Sequence, residues 1–181
     1  MSQMAKQSSQ PTETSLSKTV KLPDLFSLLN AASGLLSIYF SIHAKFILAI
    51  ICLLIAVVFD TLDGKIATML NLKREFGMQM DSLSDIVSFG VAPAVFGIQL
   101  LPASLATSLV LIVFVLCGLL RLARFNTLGS LPYYIGLPIT TNGYIIPLFY
   151  FVHISPAYFV WVYALLAVLM VSPFRIPKPF K

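Results

Sequence analysis

An all-α integral membrane protein is the fold class this sequence predicts: a six-transmembrane-helix bundle with an N-terminal amphipathic interfacial helix. Three observations predict it. Of the 181 residues, 58% are hydrophobic and 10% charged, whereas a soluble domain carries about 25% charged residues. The mean hydropathy of +0.91 is more apolar surface than a soluble fold can hide, which points to the bilayer as solvent. The apolar residues also gather into six runs, roughly Leu25–Ile42, Phe46–Met69, Asp81–Leu101, Ala103–Phe125, Leu137–Val152 and Pro156–Val171. The fifth is the weakest, being short and interrupted by Pro138, Asn142, Gly143 and Pro147. Proline kinks a spanning helix, and neighbours must then satisfy the freed carbonyl.

In chain order, residues 1–20 are polar, rich in Ser, Gln and Thr, and lack an apolar h-region. They read as a flexible polar tail and not as a secretory signal. Residues 21–181 read as a single membrane domain. Its first stretch, "KLPDLFSLLN", predicts an amphipathic helix lying at the interface before the first span. With the N-terminus in the cytoplasm, six spans put Lys6, Lys18, Lys21, Lys65, Lys73, Arg74, Arg121, Arg124, Arg175, Lys178 and Lys181 on the cytoplasmic side and only Lys45 outside. That asymmetry predicts both termini on the cytoplasmic side, with a prokaryotic cell membrane as the expected location. The net charge of +5 therefore reads as inside-facing loops and contacts to anionic lipid, not as a nucleic-acid surface. Cys52 and Cys117 sit within apolar runs, giving no support to a disulfide framework. His43 and His153 fall at the predicted outer surface. Trp161, Tyr133, Tyr134, Tyr150, Tyr158 and Tyr163 fit interfacial belts or core packing.

The chemistry-bearing stretch is "FDTLDGKIATMLNLKREFGMQMDSLSDIVSFG", Phe59–Gly90. It holds four of the seven acidic residues: Asp60, Asp63, Asp81 and Asp85. The first pair is spaced i, i+3 and the second i, i+4, so each pair shares one helix face. The linker "NLKREFG" is short enough to make the second and third spans antiparallel neighbours, so the pairs can converge at their cytoplasmic end. Four close carboxylates repel one another, and desolvation penalises each. Divalent cations resolve this, and oxygen-only donors select Mg²⁺, Mn²⁺ or Ca²⁺ over zinc. Four carboxylates could hold two ions, which can clamp both the attacking and the leaving oxygen in displacement at phosphorus. A solvated acidic loop does not require such one-faced spacing. A cation transporter needs carboxylates near mid-membrane and polar residues on both sides, whereas the outer halves of these spans are almost wholly apolar. Gly64 and Gly77 each suggest close approach by a ligand or another backbone, and helix packing alone would explain one of them. For Gly64, between carboxylates, ligand approach is the favoured reading.

These residues resemble a family signature. Asp60-x-x-Asp63-Gly64-x-x-Ala67 followed by Gly77-x-x-x-Asp81-x-x-x-Asp85 is similar to that of the CDP-alcohol phosphotransferases. "DSLSDIVSFGVAPA" (Asp81–Ala94), "RLARFN" (Arg121–Asn126), "GLPIT" (Gly136–Thr140) and "LPDLFSLLNAASG" (Leu22–Gly34) resemble its phosphatidylserine synthase or archaetidylserine synthase subgroup. The resemblance covers nearly everything after the polar tail. It implies transfer of a phosphatidyl-type group from CDP-diacylglycerol, or an archaeal equivalent, to the hydroxyl of L-serine, releasing CMP and forming a phosphatidylserine-type lipid. It further implies two divalent cations (Mg²⁺ or Mn²⁺) on Asp60, Asp63, Asp81 and Asp85, with Asp85 also the general base, and a homodimer. Gly64 would admit the cytidine part, and Asp24, Ser27 and Asn30 are candidates for the nucleotide pocket.

Two positions depart from the pattern. Thr68 stands where the family usually has an arginine near the nucleotide phosphates, and Asp24 where it often has asparagine. Thr68 can donate a hydrogen bond but brings no charge; Lys65, Lys73 or Arg74 could compensate. Arg121 and Arg124 read equally as positive-inside anchors or as partners of the serine carboxylate or a phosphate. Asn126 could assist them or cap its helix, and Ser88 reads as structural. The alternatives are another acceptor, such as glycerol phosphate or an inositol phosphate, or an inactive homologue.

Overall fold

The computed structural model describes residues 20–72, 74–128 and 133–177. Residues 1–19 of the predicted tail, Lys73, Lys178 and Lys181 lie outside the described residues. Nine helical segments and a two-stranded ribbon follow one another among them. They are α1 (Leu22–Ile42), α2 (Phe46–Met69), α3 (Glu75–Asp85), a π-helical turn (Ile86–Val91), α4 (Ala92–Leu100), α5 (Leu105–Leu128), β1 (Tyr133–Ile135), a 3₁₀ turn (Ile139–Thr141), α6 (Asn142–Phe151), α7 (Pro156–Val171) and β2 (Arg175–Pro177).

Helix stands within all six predicted apolar segments, and four stretches are long and apolar enough to cross a membrane: Leu22–Ile42, Phe46–Met69, Glu75–Leu100 and Leu105–Leu128. The third joins α3, the π turn and α4, and begins six residues before the predicted start at Asp81. The last two helices are shorter, with 10 residues in α6 and 16 in α7.

The separate interfacial helix expected over Lys21–Asn30 is not present. Those residues run unbroken into α1. Pro23 and Asp24 occupy the first turn, and Asp24 Oδ2 accepts the Lys21 N–H at 2.7 Å. The amphipathicity is real but inverted for a membrane setting. Asp24, Ser27, Asn30, Ser33, Ser37 and Ser41 form a buried stripe, while Leu22, Leu25, Leu28, Leu29, Leu35 and Leu36 are exposed. A helix in lipid turns its polar face to its neighbours and its leucines outward.

The core gathers Phe89, Phe96, Phe114, Ile139, Ile146, Phe159, Tyr163 and Met170. Phe114 and Tyr163 meet edge-to-face at 5.1 Å, and the buried Tyr163 hydroxyl donates to the Pro93 carbonyl at 2.7 Å. Tyr163 is therefore core, whereas Tyr158 and Trp161 are exposed. Both cysteines are free. The ribbon, unforeseen from sequence, pairs β1 with β2 antiparallel, with Tyr133 opposite Pro177 and Ile135 opposite Arg175.

Candidate metal centre and adjoining cleft

The end of α2, the start of α3 and the first turns of α1 meet at one end of the bundle. One carboxylate oxygen each from Asp60, Asp63 and Asp81 lies within 4.8 Å of the other two. Helical spacing explains this: Asp60 and Asp63 lie one turn apart on α2, and α3 carries Asp81 past them. Asp85, one turn further along α3, is outside that converging group. It contacts Asp60 through a side-chain hydrogen bond and accepts one from Asn30 Nδ2 at 3.2 Å.

The inward stripe of α1 supports the acids. Ser27 Oγ donates to Asp63 Oδ2 at 2.8 Å. Ser27 and Asn30 thus act on carboxylates, although Ser27 also lines the neighbouring cleft. Ser88 Oγ donates to the Asn30 carbonyl at 2.9 Å, as a structural residue should. Gly34 makes this packing possible, because a Cβ there would fall 2.7 Å from the Ser88 Cα. Ser88 lies in the π turn directly after Asp85, a distortion frequent at functional sites.

Residues distant in sequence complete the surroundings. Arg121, buried on α5, acts electrostatically on Asp60 and Asp81 and lies over the Phe125 ring at 5.4 Å. That position sets its charge beside the acids and not at an exposed surface. Thr140, in the 3₁₀ turn, makes a side-chain hydrogen bond to Asp60. Asn142, fully buried, donates to the Phe89 carbonyl at 3.0 Å and ties that turn to the π turn. Neither Thr140 nor Asn142 had been given a role from sequence. The signal available was a run of polar residues, Thr140-Thr141-Asn142, inside an apolar segment.

Beside the acids opens a cleft of about 450 Å³. Pro23, Asp24 and Ser27 line it from α1, Asp63, Gly64, Ala67 and Thr68 from α2, Leu72 and Arg74 from the turn, and Glu75, Gly77, Met78 and Asp81 from α3. A Cβ at Gly64 would meet nothing within 4 Å, so the packing explanation for this glycine has no neighbour to support it. Gly77 is the packing glycine: a Cβ there would come within 3.2 Å of Asp24 Oδ1.

Four expected roles change. Thr68 lines the cleft, but its hydroxyl donates to the Gly64 carbonyl at 2.8 Å, so its one proton is directed into its own helix and not toward a ligand. Lys65 is exposed and does not line the cleft. Arg124 donates to the carbonyls of Ile135, Met170 and Val171 at 3.0, 3.1 and 3.0 Å. It closes the C-terminal end of α7 and is not directed at the acids. Gly136 passes beside it with φ of 71°, where a Cβ would collide with the Met170 carbonyl. Asn126 exchanges hydrogen bonds with Ser82 at 3.1 and 3.2 Å, joining α5 to α3 instead of capping its helix.

The donor set fits a hard divalent cation. Three carboxylates offer oxygen alone, converge closely, and repel one another unless positive charge stands between them.

Comparison with known proteins agrees with this geometry. The family model described as CDP-alcohol phosphatidyltransferase matches residues 20–172. The chain is 41% identical over 168 residues to an archaetidylserine synthase of Methanothermobacter thermautotrophicus, covering 88% of this chain and 70% of that protein. It is 36% identical over 166 residues to a CDP-diacylglycerol--serine O-phosphatidyltransferase of Methanocaldococcus jannaschii, covering 91% and 77%. A CDP-diacylglycerol--serine O-phosphatidyltransferase of Helicobacter pylori is 33% identical over 172 residues, covering 86% and 71%.

Proposed function

The chain belongs to the CDP-alcohol phosphatidyltransferase family, and from that premise we propose that it transfers a phosphatidyl-type group from a CDP-linked lipid to L-serine. The serine hydroxyl oxygen attacks the β-phosphorus, the bond from that phosphorus to the CMP oxygen breaks, and CMP leaves. The product is a phosphatidylserine-type lipid. The observation that carries this reading is the convergence of Asp60, Asp63 and Asp81 beside a cleft large enough for a nucleotide.

Asp60, Asp63 and Asp81 would hold divalent metal, two ions in this reading, with Asp85 as a further ligand. Bound metal supplies positive charge that offsets the diphosphate and the departing CMP. Gly64 leaves room for the cytidine part. Asp85 takes the serine hydroxyl proton. Its contact with Asp60 and its bond from Asn30 orient it for that task. Arg121 binds the serine carboxylate, for which a buried guanidinium beside the acids is suited. The charge asymmetry of the sequence supports a cytoplasmic site with both termini on that side. A homodimer and a single domain from residue 21 onward belong to the same reading.

The test is metal-dependent CMP release from CDP-diacylglycerol in detergent, with serine, glycerol phosphate or inositol phosphate as acceptor. Release with serine alone is the expected result. Release only with a phosphorylated alcohol sinks the serine assignment, and no release with any acceptor sinks the transferase reading.

A further inference from the structure

We propose that Arg74, held in place by Asp24, is the residue that binds the substrate's phosphate groups in the cleft. This rests on the transferase reading and goes beyond it, by giving the cleft's positive charge to one ion pair.

The charge of the cleft is the first argument. Its described lining includes the acids Asp24, Asp63, Glu75 and Asp81, and Arg74 is the one Lys or Arg among those lining residues. A nucleoside diphosphate brings further negative charge into an already acidic site. Metal on Asp60, Asp63 and Asp81 offsets part of it, and the wall away from the metal needs a cation of its own.

Local structure delivers Arg74 to that wall. Helix α2 ends in a Schellman turn, with Asn71 at φ of 51°. There the Leu72 N–H bonds the Ala67 carbonyl at 2.9 Å and the Asn71 N–H bonds the Thr68 carbonyl at 3.1 Å. This reverses the chain within the few residues between Thr68, the last α2 residue lining the cleft, and Arg74, at the start of α3.

Asp24 fixes the guanidinium. Its Oδ2 accepts from Arg74 Nη2 at 2.7 Å while also accepting the Lys21 N–H at 2.7 Å. The two side chains are 2% and 25% exposed for Asp24 and Arg74. The acid is the buried anchor and the arginine the more exposed partner. A guanidinium carries its donors in a rigid planar fork, so a partner on one edge sets the direction of the rest. Gly77 leaves the space Asp24 occupies. The two positions at which the sequence departs from its family pattern thereby become related. Position 68 brings no charge, and the acid at position 24 holds an arginine in the same cleft.

The test is calorimetric titration of CDP into the full-length protein in detergent with Mg²⁺, alongside its Tm. Arg74→Ala weakens CDP binding roughly tenfold or more, the usual worth of a charge-assisted bond to phosphate. Adding Thr68→Arg to Arg74→Ala returns a cation to the cleft but leaves position 74 unable to pair with Asp24. The expected result is recovery of CDP affinity with Tm still lowered. Asp24→Asn raises KM for the CDP-lipid with kcat near the parent value. Arg74→Ala binding CDP as tightly as the parent overturns the proposal. So does a double variant whose affinity does not recover, or recovers only together with Tm, since Arg74 would then be a structural latch. An unchanged KM in Asp24→Asn removes Asp24 from the role. Failure of the unaltered protein to bind CDP sinks the transferase reading instead, and this proposal with it.

Discussion

Ser27→Ala separates a ligand-orienting serine from a nucleotide contact. The substitution removes the hydroxyl that donates to Asp63 Oδ2 at 2.8 Å. Ser27 is 3% exposed, so bulk solvent does not replace the lost donor. A hydrogen bond to a charged group contributes about 1.5–3 kcal/mol. Partners that orient metal ligands are worth roughly 10–100-fold in metal affinity or activity. The backbone of α2 and the positions of Asp60 and Asp81 do not depend on Ser27. The loss should therefore fall on how firmly Asp63 is aimed. The assay is CMP release across a Mn²⁺ series at saturating serine and CDP-lipid. The half-saturating Mn²⁺ concentration should rise roughly 10–100-fold, the rate at saturating metal should hold within about threefold, and Ser27→Thr should restore the parent curve. An unchanged metal curve with a raised KM for the CDP-lipid would refute the reasoning, because Ser27 also lines the cleft and would then be a nucleotide contact.

Gly64→Ala meets no protein atom within 4 Å. Unfolding free energy should hold or rise by up to about 1 kcal/mol from helix propensity, while CDP-lipid turnover collapses; full activity would remove Gly64 from the substrate site. Arg124→Ala deletes bonds to three carbonyls, and unfolding in detergent should show a loss of about 2 kcal/mol with serine KM unchanged. A raised serine KM would return Arg124 to the acceptor site. Arg121→Lys keeps the buried charge but loses the planar fork. Serine KM should rise roughly tenfold, and an unchanged KM would contradict its assignment to the serine carboxylate.

The acid spacing was legible because it is local. Residues three and four apart on one helix share a face wherever the helix goes, so both carboxylate pairs could be read directly. The polar stripe of α1 was equally visible as a period, but the period does not say which side is wet. Serine, asparagine and aspartate facing inward and leucine facing outward produce the same pattern as a helix lying on the membrane surface. Arg121 and Arg124 show the complementary difficulty. Spaced three apart, they look like one unit. Yet Arg121 turns to the acids and Arg124 reaches the end of α7, 46 and 47 residues away at its Met170 and Val171 carbonyls. No local pattern encodes that separation.

The fifth apolar segment is interrupted for a physical reason that also explains its use. Within it α6 has 10 residues, roughly 15 Å of helix against a hydrocarbon core of about 30 Å. The preceding residues do not extend it. Gly136 to Pro138 form an irregular path, and the 3₁₀ turn Ile139–Thr141 follows. Irregular backbone at membrane depth is tolerated where protein surrounds it, and here Ile139 and Asn142 are fully buried. The apolar residues of this segment therefore face protein as well as lipid. Breaking the helix shortens it, and what the break delivers is Thr140 against Asp60 and Asn142 against the π turn that follows Asp85. A regular helix through the same residues would present its side chains at a fixed 3.6-residue period. The break lets two closely spaced polar residues reach different elements of the acidic site.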